Sequence, residues 1–235
     1  MKKLRFALFF GNRGFFPGEL IAGARAEIKK AVEDAGCETL IMEEKHTRYG
    51  AVETVEEGKK YAAFLAENKG KYDGVILSLP NFGDETGAVA ALEDCGVPIL
   101  IQAYPDEFGK MDFQNRRDAF CGKFSVMDVF YQYKLPFTIF QPHTVHPASE
   151  SFKAQLKQFA AVCRIVNGMK RFTIGALGAR TTAFKTVRFD ELTLQKYGIT
   201  TETYDLSDLI SRVRKFNTRK TQFREKRDFL LSYTS

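Results

Sequence analysis

Two rhythms of apolar residues alternate along this chain. A nearly unbroken apolar run over 4–10 predicts a buried strand. Over 18–35 the apolar residues Leu20, Ile21, Ala24, Ile28, Ala31 and Val32 recur at helical spacing, and Gly36 marks the end of that helix. Strands are predicted at 38–42, 72–79 and 98–103. Helices are predicted between them at 52–68 (Val52, Val55, Ala62, Ala63, Leu65) and 84–95. Asp84 and Glu85 fall in the first turn of the latter, where the helix dipole favours negative charge. A helix over 114–129, a fifth strand over 137–140 and a helix over 149–167 follow. Ser149 is the expected N-cap of the last, and Phe152, Leu156, Phe159, Ala160, Cys163 and Val166 form its buried stripe.

The opening construction of strand, glycine-containing loop and helix then begins again at Arg171. Arg171-Phe172-Thr173-Ile174 leads into Gly175-Ala176-Leu177-Gly178-Ala179-Arg180. A helix around 189–197, a strand at 200–204 and a helix from about 207 come after it. The reading is an α/β protein. A doubly wound parallel sheet of the Rossmann or flavodoxin kind occupies 1–168, and the incomplete start of a second α/β domain occupies 169–235.

Charge sharpens this picture. The net charge of +6 sits largely in residues 206–235, which hold eight basic and three acidic side chains and leave the body near neutral. That balance argues against a nucleic-acid-binding body. The basic tail itself (Arg212, Arg214, Lys215, Arg219, Lys220, Arg224, Lys226, Arg227) has few interleaved aromatics and reads as a solvated helix face. No apolar run reaches the roughly 18 residues of a membrane span, so no membrane partner is expected. Four scattered cysteines (Cys37, Cys95, Cys121, Cys163) form no C-x-x-C pair and read as free thiols of a reducing, cytoplasmic setting.

Ligands of an open parallel sheet gather at the carboxyl ends of its strands. Three loops fall there: 11–18, 80–85 and 103–107. They offer the fork donors of Arg13, the amide of Asn81, the ring of Phe82 and carboxylates at a helix start, a set suited to a polyhydroxylated ligand. The first loop is not G-x-G-x-x-G, and the chain has neither a P-loop nor a G-x-S-x-G elbow, which leaves dinucleotide, nucleotidase and hydrolase readings unsupported. His143 and His146 lie beside Pro142 and Pro147, which disfavour the helix that would aim both at a metal, so a surface or packing role is expected.

Four stretches together resemble the L-fucose/L-arabinose isomerase superfamily, in particular its shorter L-fucose isomerase-like proteins. They are Gly11-Asn12-Arg13 after the first strand and Pro80-Asn81-Phe82-Gly83-Asp84-Glu85 after 75–79. The third is Ile174-Gly175-Ala176-Leu177-Gly178-Ala179-Arg180-Thr181-Thr182. The fourth joins Tyr197-Gly198-Ile199 to Tyr204-Asp205-Leu206-Ser207-Asp208-Leu209. The resemblance implies interconversion of aldose and ketose through an enediol. A divalent metal, usually manganese (Mn2+), polarises the oxygens while carboxylates move the proton. It implies metal ligands and catalytic groups in later parts of such enzymes, so none is assigned to this chain, which is expected to be inactive alone. It also implies a trimer or hexamer in which the first domain helps to build a sugar pocket. Arg13, Asn81 and Phe82 are the implied sugar contacts, followed by Arg180 and Thr181. The alternative is a non-catalytic sugar-binding or sensing module.

Overall fold

A computed structural model describes residues 3–178, 183–184, 186 and 189–233. The chain divides into two compact units, Met1–Asn167 and Gly168–Ser235.

The first unit is built on four parallel strands, β1 (Arg5–Phe10), β2 (Glu38–Ile41), β3 (Gly74–Leu79) and β4 (Ile99–Ala103), in the order β2-β1-β3-β4. Its helices are α1 (Leu20–Asp34), α2 (Val55–Glu67), α3 (Glu85–Leu92), α4 (Ala119–Gln132) and α5 (Glu150–Met169). Successive strand residues point to opposite faces, and the sequence supplies apolar side chains to both. Phe6, Leu8 and Phe10 of β1 pack with Ile21, Ile28 and Val32 of α1 and with Phe152, Leu156 and Phe159 of α5. Ala7 and Phe9 face the other way, into a core shared with Tyr61 and Leu65 of α2, Leu92 of α3, and Val126 and Phe130 of α4. Burying a large side chain of this kind contributes about 1.5–3 kcal/mol each. Both faces are therefore sealed and only the strand ends remain open. The doubly wound parallel sheet is present.

Three elements depart from the sequence reading. The expected strand over 137–140 is reduced to bridges from Thr138 to Leu100 and from Thr144 to Ala103. Pro136, Pro142 and Pro147 bring no N–H to that edge, so the segment follows β4 without forming a ladder. The expected helix over 114–129 begins later. The Asp112 side chain accepts the Gln114 N–H, and Asp106 accepts the N–H groups of Arg117 and Asp118, bonds that compete with helix formation. The β2–α2 connection contains two single 3-10 turns, at Glu44–His46 and Arg48–Gly50. The buried Arg25 pins them by donating to the carbonyls of Gly50 (2.6 Å) and Met42 (2.8 Å). The expected cap of α5 is in place, with Ser149 Oγ accepting the Phe152 N–H.

In the second unit β5 (Phe172–Leu177) pairs in parallel with β6 (Ile199–Tyr204). The helices are α6 (Glu191–Lys196), α7 (Leu206–Lys215) and α8 (Thr221–Tyr233). Asp190 and Asp205 cap α6 and α7. None of the described residues of this unit is buried. Among all described residues, no helix is long and apolar enough to cross a membrane.

One close approach sets the height of α4 above the sheet. A Cβ added at Gly122 would lie 1.8 Å from the Phe82 carbonyl oxygen. Both partners at that contact are backbone, so no side chain can swing away. Gly122→Ala is expected to destabilise the first unit by about 3 kcal/mol, as overpacking of a rigid contact does. Its thermal midpoint should fall by several degrees in calorimetry, and an unchanged midpoint would show that α4 can move freely.

Candidate functional site

β1 and β3 are neighbours, but the chain leaves β1 for α1 on one face and reaches β3 from α2 on the other. Their carboxyl ends therefore border a crevice. The loop after β1 is anchored there by backbone bonds, with Gly11 N–H to Ser78 O and Asn12 N–H to Val52 O, both 3.0 Å.

Side-chain amides complete the anchorage. Asn12 and Asn81 are buried, and Asn81 Nδ2 donates to Asn12 Oδ1. Asn12 Nδ2 donates in turn to Glu53 Oε1. Asn81 Oδ1 accepts the N–H of Gly83 at 3.2 Å. Gly83 has φ +77°, which favours glycine, and a Cβ there would also strike Leu79. Glu53 stands just before α2, where Thr54 accepts the Glu57 N–H and Glu57 reaches back to the Glu53 N–H (2.8 Å). That is a capping-box arrangement displaced by one residue.

Arg13 lies over this frame. Its guanidinium sits 4.6 Å from the centroid of the Phe82 ring. Nε donates to the Gly83 carbonyl at 2.9 Å, and Nη2 pairs with Glu85. The other Glu85 oxygen accepts from Ser125 Oγ of α4 at 2.8 Å. Burial pushes the Glu85 carboxyl up. Its own backbone N–H, the Ser125 hydroxyl and Arg13 outweigh that and hold it below the ordinary carboxylate range.

Two further arginines stand at the same edge. Arg116 lies over Phe16 (5.3 Å) and pairs with Asp118. Arg117 lies over Tyr104 (4.8 Å), donates to the Pro80 carbonyl (3.0 Å) and pairs with Glu107. Phe15, Phe16 and Phe82 form a ladder of rings with centroid separations of 4.9 and 5.8 Å. Tyr104, buried at the end of β4, donates its hydroxyl to Glu27 (2.8 Å), and His146 Nε2 lies 3.6 Å from the same oxygen. Burial, with the nearby Glu27, pushes the Tyr104 phenol far above its ordinary value.

Beneath this edge Lys123 of α4 is fully buried, and its Nζ donates to the His143 carbonyl at 2.8 Å. Burial pushes its ammonium down to about 8. Close by, Ser78 donates to Gln102, and Gln102 donates to the Val145 carbonyl. These bonds fix the 141–147 segment against β4.

The structure thus brings Arg13, Asn81 and Phe82 together. Asn81 is wholly inside, with its amide committed to Asn12, Gly83 and Pro17. Phe82 carries Arg13 on one face. Arg180 and Thr181 lie outside the described residues. His143 packs against Phe120 and Phe124, and His146 against Tyr104, each in the packing role expected of it. The sequence reading missed Arg116, Arg117 and Lys123. It placed the two arginines on a helix, and the aspartates at 112 and 118 that flank the pair were the signal for a turn.

The model of the family described as fucose/sulfoquinovose isomerase, N-terminal domain, matches residues 7–170. No curated protein matches the chain. The matched span contains every residue placed around the crevice.

Lys123 gives this region a pH signature. Its folded value of about 8 lies below the ordinary 10.5, so between the two the unfolded chain holds a proton that the folded chain has lost. Stability from this group therefore rises as pH increases through that window. Relative to Lys123→Met, the wild type should gain about 2 kcal/mol between pH 7 and roughly 9.5. Urea unfolding of both proteins across that range checks it, and a constant difference would contradict the burial of the charge.

Proposed function

Since the chain belongs to the fucose/sulfoquinovose isomerase family through its N-terminal domain, we propose that it serves a metal-dependent aldose–ketose isomerase by forming one wall of the sugar pocket. The match over 7–170 carries the reading. In this reading the working enzyme is an assembly of like subunits, a trimer or hexamer, and the wall faces a pocket completed by other parts of it. Cys37, Cys121 and Cys163 are free thiols, which accords with a cytoplasmic setting.

Aldose–ketose isomerisation moves hydrogen between adjacent carbons and between their oxygens. The open-chain sugar must be held so that those two carbons meet the reacting groups. Arg13 suits the holding. Its fork donates toward hydroxyl oxygens while Phe82 fixes the plane of the guanidinium. Glu85 accepts from a hydroxyl beside it and stays ionised across the neutral range. Asn12, Asn81 and Glu53 act from below by fixing the two loops. Manganese in such an enzyme supplies a Lewis acid for the carbonyl and hydroxyl oxygens. Among the described residues no three His, Cys, Asp or Glu side chains converge to hold a metal ion. The described residues do not fit that role, and every step assigned to them is binding and orientation. In the proposal, proton transfer and metal binding fall to groups outside the first unit, and this chain by itself does not turn over sugar.

Arg13→Ala in the assembled enzyme tests the wall. Losing a charge-assisted hydrogen bond of about 1.5–3 kcal/mol should weaken sugar binding by about tenfold or more. The circular dichroism spectrum should be unchanged. Titration calorimetry with fucose reads the effect, and an unaltered affinity would remove Arg13 from the pocket.

A further inference from the structure

Among the described residues three guanidinium groups stand at the crevice, and each already has a carboxylate. Arg13 is paired with Glu85, Arg116 with Asp118, and Arg117 with Glu107. Two of them also donate to backbone carbonyls, Arg13 to Gly83 and Arg117 to Pro80. A further carboxylate, Asp106, is turned onto the N–H groups of Arg117 and Asp118. Lys123 is sealed beneath and spends its hydrogen bond on the His143 carbonyl. Beside the paired charges runs the ladder of Phe15, Phe16 and Phe82, with Phe15 57% exposed.

The two sugars in the family's description differ in charge. Fucose ends in an uncharged methyl group, whereas sulfoquinovose ends in a sulfonate, a permanent anion. From the pairing of Arg13, Arg116 and Arg117, together with the exposed Phe15 ring, we infer that this wall takes the neutral deoxy sugar and excludes the sulfonated one. The inference rests on the sugar-pocket reading above and narrows it.

The two ligands make different demands on the wall. A sulfonate needs fork donors that are free to meet it. Here it would have to pull a guanidinium off its carboxylate, and at Arg13 that would leave the partly buried Glu85 without its counter-charge. A hydroxyl makes no such demand. It donates and accepts at once, so it can join an existing arginine–carboxylate pair at either partner. A methyl group adds only apolar surface, which the ring ladder covers.

Titration calorimetry on the assembled enzyme at low salt, with fucose and with sulfoquinovose, tests this. Fucose should bind, and sulfoquinovose should bind at least about tenfold more weakly, a difference of about 1.4 kcal/mol. Glu85→Gln keeps a hydrogen-bond acceptor for Arg13 but removes the charge, and it should raise the ratio of sulfoquinovose affinity to fucose affinity severalfold. Sulfoquinovose affinity for the wild type should also be insensitive to added salt, because Arg13, Arg116 and Arg117 are each already paired with a carboxylate. Three results would overturn the inference: sulfoquinovose binding as tightly as fucose, a wild-type affinity for it that falls steeply with salt, or no gain in folded Glu85→Gln. Binding of neither sugar would remove the sugar-pocket reading itself, and this inference with it.

Discussion

The amide of Asn81 is the fixed point of the first unit's open edge. It has no contact with water, and it joins the loop after β1, the loop after β3 and the carbonyl of Pro17. A buried amide left without partners costs about 1–3 kcal/mol, so the loops gain nothing by separating. Glu53 extends the same chain of bonds to the start of α2 through Asn12. Gly83, held by Asn81, then presents the carbonyl that receives Arg13. The geometry of the half-buried guanidinium is thus inherited from a fully buried side chain. Glu85 and Ser125 add a second hold from α4, whose height is set by the contact of Gly122 with Phe82.

How much of this was legible follows from what sequence periodicity encodes. Alternation in a strand and the stripe of a helix report burial directly. The unbroken apolar run over 4–10 therefore read as a strand buried on both faces, without showing which residues face which side, and the stripe of α5 was readable from Phe152 to Cys163. Prolines at 136, 142 and 147 carried the information that the segment beside β4 lacks a ladder, but its apolar run outweighed them in the reading. The site was legible only as a location. Parallel strands send their following loops to one edge, so Arg13 and Phe82 were bound to be neighbours. The inward turn of Asn81 was not readable, because its partner Asn12 is 69 residues away and their pairing depends on register. Glu85 likewise looked like a complement to the helix dipole, and it is that, but its carboxylate also holds Arg13.

The second unit shows the converse case. Its elements were legible although none of its described side chains is buried. Local chemistry sufficed there. Asp190 and Asp205 accept the first N–H groups of α6 and α7, and β5 and β6 pair over six residues. Caps and ladders specify where elements begin without specifying what they pack against. Phe172, Ile174, Leu177, Ile210 and Val213 stay exposed, so these elements keep apolar faces that no described residue of the unit covers. In the first unit both faces of the sheet are covered by helices, and there the fine placement of functional groups becomes possible.

Charge pairing at the crevice carries this argument into function. An arginine beside a lone ring would be a general anion trap. An arginine tied to a carboxylate, itself tied to a serine, is a rigid polar surface with donors and acceptors side by side. Glu85 remains ionised because its three donors outweigh the cost of its burial. The stability this pair contributes is complete above the ordinary carboxylate range and is lost as pH falls through the depressed value. Lys123 has the opposite balance, with burial unopposed by any carboxylate and an ammonium drawn down to about 8. The two groups therefore mark different roles within one edge. The compensated charge faces the crevice, where it can meet hydroxyl groups without rearranging. The uncompensated one is kept beneath it, where its single bond to His143 fixes the loop that borders β4.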